Sequence, residues 1–266
     1  MIKSTLIIST YEWPDALNLV LKSLLVQSRK PDEVIIADDG STVETKRLID
    51  SFKKKTSLNI YHIWQEDKGF RKAKILNKAI IKSTGKYLIQ IDGDCIMHRH
   101  FIRDHMSLAK NNCFLFGSRV NIKQEYLVTL FKKEQINFTL FSKGIKKRTR
   151  ALYIPLFSET YKAKAKFSKK YRGCNTSYFK NDALKVNGYN EDFEGWGRED
   201  SEFALRLINS GVNSRRIRYK GIVFHIYHYE KPKNKLEENN HIEYQTITLK
   251  KTWCENGINK YLSENK

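Results

Sequence analysis

Strand and helix patterns alternate over the first 92 residues, and that alternation restricts the folds open to this chain. Residues 5–9 form a short apolar run that reads as a strand. Pro14 is placed to open a helix, in which Leu17, Val20, Leu21, Leu24 and Leu25 recur at helical spacing. A second apolar strand at 33–37 is followed by a helix over 43–55 that is polar on one side. A strand at 58–64 follows, then a helix over 69–83 with Ala73, Leu76, Ala79 and Ile80 inward, and then the apolar run 87–91. Such a β-α-β-α-β-α-β order predicts an α/β protein with a mostly parallel sheet and helices on both faces. Right-handed crossovers bring the strand ends to one edge, and with them Tyr11, the pair Asp38/Asp39 and the pair Asp92/Asp94.

The run 87–91 ends in Asp92-Gly93-Asp94. Two carboxylates at the C-terminal end of a buried strand point into the crevice where open α/β sheets bind ligands. Hard oxygen ligands suit Mg²⁺ or Mn²⁺ between protein and a diphosphate. Neither glycine-rich phosphate-loop pattern is present, so the usual ATPase and NAD readings lack their fingerprint. A net charge of +20 makes a phosphate-bearing partner the natural inference. There is no N-terminal secretion signal, no apolar run of membrane-spanning length, and four scattered cysteines without a CxxC pair. These features are expected of a cytoplasmic protein with reduced thiols.

The second half is less regular. A helix is expected over 98–110 and a strand over 114–121. Residues 131–172 carry thirteen Lys or Arg against two Glu, interleaved with aromatics, and hold more than half of the excess charge. They read as a mobile solvated insertion, or as a surface for anionic lipid or an acidic glycan. Nucleic acid is the weaker partner, since no recognised motif accompanies the patch. A strand-like run covers 173–179, and a short helix 182–186. Gly195-Trp196-Gly197-Arg198-Glu199-Asp200 then makes a tight loop with an aromatic platform of the kind on which sugars stack. A helix follows, stopped by Gly211, so Glu199 and Asp200 fall at its N-terminus, where the macrodipole favours their ionised forms. A last strand over 221–229 contains His225 and His228, and the tail 231–266 is polar with a weak helical pattern.

Together these motifs resemble family 2 glycosyltransferases of the GT-A fold, over roughly residues 4–232. The second half resembles the galactosyltransferase module shared by bacterial chondroitin-type polymerases and β-1,4-galactosyltransferases. The resemblance implies one Rossmann-like domain, with a nucleotide-sugar half (1–98), an acceptor and catalytic half (99–230, basic insertion 131–172) and a tail (231–266). It implies that Thr10, Tyr11, Glu12 and Asp39 contact the nucleoside, and that Gly69, Arg71, Lys72, Asp92 and Gly93 line the donor site. A divalent ion, Mn²⁺ or Mg²⁺, would sit on Asp94 and Asp92 with His228, and His225 kept as a second candidate. Asp200 would be the catalytic base, with Glu199, Trp196, Gly195 and Asn175 around the acceptor.

Ser201 stands where the animal enzymes carry a further acid, and the QxxRW signature of processive synthases is missing. The activity implied is inverting, metal-dependent transfer of a hexose or N-acetylhexosamine, with galactose types favoured, from a UDP-sugar to a glycan or lipid-linked glycan. Its setting would be bacterial lipopolysaccharide or capsule synthesis at the inner face of the plasma membrane. Two other classes fit parts of the sequence. A basic protein that binds nucleic acid or anionic surfaces accounts for the charge but not for the ordered acids. A GT-A protein that binds a nucleotide-sugar without transferring it does not account for the retained Asp94 and Asp200.

Overall fold

The structure, a computed structural model, describes residues 2–230 and 232–263. Lys231 and residues 264–266 of the expected polar tail lie outside the described residues.

In chain order the elements are β1 (Ser4–Thr10), α1 (Pro14–Leu25), β2 (Glu33–Asp38), α2 (Val43–Lys54), β3 (Ile60–Trp64), α3 (Lys72–Lys82) and β4 (Tyr87–Asp92). Then come β5 (Cys95–Met97), α4 (Phe101–Leu108), β6 (Cys113–Phe116), β7 (Arg119–Ile122), α5 (Leu127–Lys132), β8 (Ile145–Lys146), β9 (Asn175–Phe179) and α6 (Lys180–Lys185). The last are α7 (Glu199–Asn209), β10 (Asn213–Arg216), β11 (Val223–His225), α8 (Leu236–Thr248) and α9 (Asn259–Ser263).

The alternation read from the sequence is present element for element through β4. β1 and β2 are buried along their whole length and β4 along all but its last residue, as expected of central parallel strands covered on both faces. In α1, Leu17, Val20, Leu21 and Leu24 are buried, while Leu25, at the C-terminal end, is exposed. One apolar cluster joins this stripe to the sheet with Ile49 and Phe101. A second, on the opposite face, packs Leu76, Ala79 and Ile80 of α3 with Phe203 of α7. Burying each such large side chain contributes roughly 1.5–3 kcal/mol.

The main sheet runs β10-β6-β9-β4-β1-β2-β3, with β9 antiparallel between β4 and β6. The chain moves from β1 outward through β2 to β3, then returns to lay β4 on the other side of β1. The strand order therefore reverses between β1 and β4, where open α/β sheets form their ligand crevice. A smaller sheet, β5-β11-β7-β8, stands on a third apolar cluster.

Several boundaries differ from the sequence reading. The expected strand over 114–121 is two strands that belong to different sheets, β6 and β7. The expected last strand stops at His225, leaving His228 in the following loop. The segment 131–172 folds onto the body instead of forming a loose insertion: Phe138, Ile145 and Ala151 are buried in the third cluster, and Tyr171 in the second. Its charges ride on a segment anchored by apolar residues. All four cysteines are free and buried, and no helix among the described residues is long and apolar enough to cross a membrane.

Candidate active site

The ends of β1, β2 and β4 form one edge of the crevice. Ser9 pairs with Asp92 across β1 and β4, and its hydroxyl donates to Asp92 Oδ1 at 2.9 Å. Asp39 is buried, and both carboxylate oxygens are held: Gln65 Nε2 donates to Oδ1 at 2.6 Å and the Arg71 N–H to Oδ2 at 2.8 Å. Burial raises its pKa above the ordinary carboxylate value, and the two donors oppose that shift. Tyr11 presents a 41% exposed ring, and its hydroxyl donates to Asp67 Oδ2 at 2.9 Å. Glu12 ties the first loop to the second by accepting from the Thr42 N–H and hydroxyl. Asp67 also accepts from the Gly69 N–H at 3.0 Å. Thr10 is buried at the end of β1 and the Gly93 N–H donates to the Ser9 carbonyl at 2.6 Å, so these two residues shape the crevice through its backbone.

Asp94, His225 and His228 come together just beyond β4. Asp94 Oδ2 lies 3.4 Å from His225 Nε2 and 3.3 Å from His228 Nε2. The small sheet sets this up: β11 runs antiparallel to β5, His225 pairs with Cys95, and the Ile226 N–H donates to the Asp94 carbonyl. His228 Nδ1 lies 2.7 Å from the Tyr229 carbonyl, which can only accept, so Nδ1 carries the proton. In the neutral ring, Nε2 then turns a lone pair toward the Asp94 carboxylate, and two acceptors face each other. A cation between them resolves that conflict. Burial lowers the pKa of His225, with Arg119 and His228 adding to the effect and Asp94 opposing it, which favours the neutral, ligating ring.

The three ligand atoms lie within 4.8 Å of one another. One carboxylate with two imidazoles is a borderline donor set that suits Mn²⁺ better than Mg²⁺. Both histidine candidates thus reach the cluster. Asp92 does not belong to it. Its carboxylate meets Lys72 Nζ at 2.9 Å.

Lys72 is the first residue of α3. Expected to line the donor site, it bridges three carboxylates, with Asp200 at 3.5 Å and Glu199 at 4.0 Å in addition to Asp92. Burial alone would lower its pKa, but Asp200, Asp92 and Glu199 outweigh burial and hold it well above the usual lysine value. Glu199 is pushed up to about 8 by burial and by the charge of Asp200. Asp200 is also raised, by burial and by Asp92 against the pull of Lys72. Adjacent carboxyl groups in different environments are able to divide the roles of proton holder and proton acceptor. Each has one buried oxygen without a hydrogen-bond partner, Glu199 Oε2 and Asp200 Oδ1, in a place where an acceptor hydroxyl would satisfy both.

Gly173 fits against this group. A Cβ there would stand 2.1 Å from the Asp200 carboxylate, and the nearby Gly173 N–H opposes the upward shift of the Asp200 pKa. Gly173 opens the Gly173-Cys174-Asn175 run, which resembles the family's acceptor half, but the sequence assigns it no role of its own.

The loop before α7 turns on positive φ at Gly195 (+70°) and Gly197 (+110°), and the Gly195 N–H donates to the Phe70 carbonyl at 3.2 Å. Trp196 stays 39% exposed, with Lys233 Nζ 5.8 Å from its ring centroid. Arg71 lines a cleft of about 190 Å³ with Lys74, Glu191 and Phe193. Asn175 does not face an acceptor. It is fully buried, its amide donating to the Gly221 carbonyl at 2.8 Å while its oxygen lies 3.1 Å from His105 Nε2. Its part is to brace β9 from behind the crevice. Arg119, absent from the sequence reading, feels the charges of Asp94 and Asp92.

A reversed-order α/β sheet with an acid–imidazole trio and a carboxylate pair at its crevice defines a GT-A-type glycosyltransferase fold. Family models agree: residues 5–171 match the model for glycosyl transferase family 2, and residues 156–229 match the one described as the N-terminal domain of galactosyltransferase. The chain belongs to glycosyl transferase family 2. It is 27% identical over 244 residues to a chondroitin synthase of Escherichia coli, covering 86% of this chain and 35% of that one, so it spans about a third of that relative's length. Among solved structures it is similar to S. aureus TarS 1–349 in complex with UDP (TM-score 0.63, 14% identity, covering 92% of this chain and 65% of that one). It is also similar to the mannosyltransferase PcManGT of Pyrobaculum calidifontis in complex with GDP-Man and Mn²⁺ (TM-score 0.58, 18% identity, covering 92% and 62%). At these identities the two structures speak for the fold alone.

Proposed function

We propose that this chain transfers a hexose or N-acetylhexosamine from a UDP-sugar to a glycan acceptor, with inversion at the anomeric carbon. The observation that carries the reading is the trio at the end of β4, where two imidazole Nε2 atoms stand 3.3–3.4 Å from one carboxylate oxygen. Asp94, His225 and His228 would hold a divalent ion, Mn²⁺ by the donor set, which when bound supplies positive charge to the leaving diphosphate.

The chain's own residues account for the rest. Tyr11 offers its exposed ring to the uracil, and Asp39, fixed by Gln65 and the Arg71 N–H, reads the nucleoside. Asp200 Oδ1 accepts the proton of the acceptor hydroxyl. The oxygen so freed attacks the anomeric carbon as the bond to the diphosphate oxygen breaks, and UDP leaves. A base whose pKa is raised takes that proton more readily. Glu199, holding its own proton, and Trp196 orient the acceptor. Lys72 positions Asp200 relative to Asp92. On this reading residues 1–98 supply the donor half and 99–230 the acceptor half.

UDP is favoured by the chain's own nucleoside edge and by the UDP bound in the S. aureus neighbour. A galactose-type sugar is favoured by the match over 156–229. The relative named a chondroitin synthase supports a growing bacterial surface polysaccharide, lipopolysaccharide or capsule, as the setting, at the cytoplasmic side of the membrane.

The test is UDP release from a panel of UDP-sugars with Mn²⁺, comparing wild type with Asp200→Asn. Release from one sugar, lost in the variant while UDP still binds, supports the reading. Silence across the panel together with no UDP binding refutes it.

A further inference from the structure

Beside the crevice lies a group of cations that form no ion pair among the described residues. Arg119 on β7, Lys147 and Arg150 after β8, Arg172 before β9, and Arg216 and Arg218 at and after β10 lie close enough to repel one another. Burial lowers the pKa of Arg150, and Arg216, Arg218, Arg119 and Arg172 lower it further. Lys147 is lowered by burial and then by Arg150, Arg119 and Arg172. Among the described residues none of the six pairs with a carboxylate; the nearby ion pairs, to Glu159, belong to Arg215 and Lys220.

The protein aims them through neutral oxygens instead. Arg150 donates to the Arg119 carbonyl at 3.0 Å, Arg216 to the Ser118 hydroxyl at 3.1 Å, Arg218 to the Thr149 carbonyl at 3.3 Å and Arg172 to the Lys169 carbonyl at 3.0 Å. Held this way, the guanidinium groups keep their forks for an anion. A small cleft lined by Arg150, Arg218 and Tyr219 opens within the group.

Its position ties the group to the reaction. At one end Arg119 faces the charges of Asp94 and Asp92, and it lies two residues along β7 from Asn121, which pairs with His225. At the other, Arg172 directly precedes Gly173, against which Asp200 rests. Arg119 thus lies beside the first centre, and Arg172 is one residue in sequence from the glycine that packs on the second.

We propose that the acceptor is an anionic glycan, and that these six residues bind the carboxylate or phosphate groups on the units next to the one being extended. The proposal rests on the transferase reading above and names its acceptor class. A membrane surface fits less well, because Arg119, Arg150, Arg216 and Arg218 are half-buried and do not stand out on a flat face. A single-stranded nucleic acid needs open aromatic faces. Here the rings of Tyr161 and Tyr219 lie under Arg216 and Arg218.

The experiment titrates the full chain with three oligomers: a galacturonate hexamer, a glycerol-phosphate hexamer and neutral maltohexaose. Phosphatidylglycerol vesicles and a random oligonucleotide are run beside them. At least one anionic hexamer is expected to bind tenfold or more tighter than maltohexaose, and which one does so separates carboxylate from phosphate. Arg150→Gln with Arg216→Gln should lose at least tenfold of that affinity, and Arg150→Lys with Arg216→Lys should lose less, since charge remains without the fork. Arg172→Gln, at an exposed side chain, repeats the test where folding is not at stake. UDP affinity should be the same in all variants. Equal binding of neutral and anionic hexamers, full affinity in the glutamine variants, or a response to vesicles or oligonucleotide alone would overturn the proposal. A wild type that binds no UDP counts against the donor site, while the hexamer titration still decides this proposal.

Discussion

Adding one methyl group at Gly173 tests the assignment of Asp200. The Cβ of Gly173→Ala would lie 2.1 Å from Asp200 Cγ and Oδ2 and 2.2 Å from Oδ1, where ordinary contact begins at 3.4 Å. The carboxylate must therefore retreat by more than about 1 Å, and a displacement of that size costs roughly 10²-fold in rate, equivalent to about 2.7 kcal/mol on the barrier. Among the described residues no hydrogen bond joins Gly173 to Tyr11 or Asp39, so UDP should bind the variant as it binds wild type. The assay is the rate of UDP release from the accepted UDP-sugar with Mn²⁺, read beside UDP affinity and the melting temperature. A folded Gly173→Ala protein that releases UDP at the wild-type rate would refute Asp200 as the base. So would equal losses of rate and UDP affinity, because the contact would then serve the donor site as a whole.

Asp94→Ala should abolish the Mn²⁺ dependence of UDP binding, measured calorimetrically with and without the ion; undiminished dependence would remove the trio as the metal site. His105 is fully buried between Ser177 and Asn175, and burial lowers its pKa from 6.5 to about 3. Its folded pKa is depressed, so its contribution to stability is complete above the unfolded value and is lost as pH falls toward the folded one. Between pH 6.5 and 5 this single group should cost roughly 2 kcal/mol in urea unfolding, and a His105→Phe variant that shows the same slope would contradict the assignment. Arg206 is fully buried on Glu202, with bonds of 2.7 and 2.8 Å, and the Thr246 hydroxyl also donates to that carboxylate. Glu202→Ala strands the guanidinium and should destabilise by about 3–5 kcal/mol; a loss under 1 kcal/mol in urea melts would count against that pairing.

The parallel half of the fold was legible because its signals are local. Apolar runs such as Leu6–Ile8 and helical stripes such as Leu17, Val20, Leu21 and Leu24 state their own burial. That Asp94 follows a strand, that Glu199 and Asp200 open a helix and that His225 lies on a strand was legible in the local pattern. What escaped depends on partners far away in the chain. Asn213–Arg216 reads as polar loop, and it is a strand because β6 offers it an edge. Asp92 and Lys72 carry no mark saying that they face each other. The Gly173–Asp200 contact exists only once β9 has entered the sheet. The basic charge of 131–172 concealed the Phe138, Ile145 and Tyr171 anchors that fold it down.

The antiparallel insertion of β9 also orders events during synthesis. The free edge of β4 has to wait for residues 175–179, and Asp94 for His225 and His228, on the order of a hundred residues later. At the usual pace of translation that delay is roughly ten seconds. Throughout it a nascent chain displays an unpaired, mostly apolar strand edge, the kind that recruits other strands. The crevice is thus among the last parts of the molecule to exist. A ribosome stalled before residue 225 holds a half-built sheet that needs shielding and has no partial activity to offer.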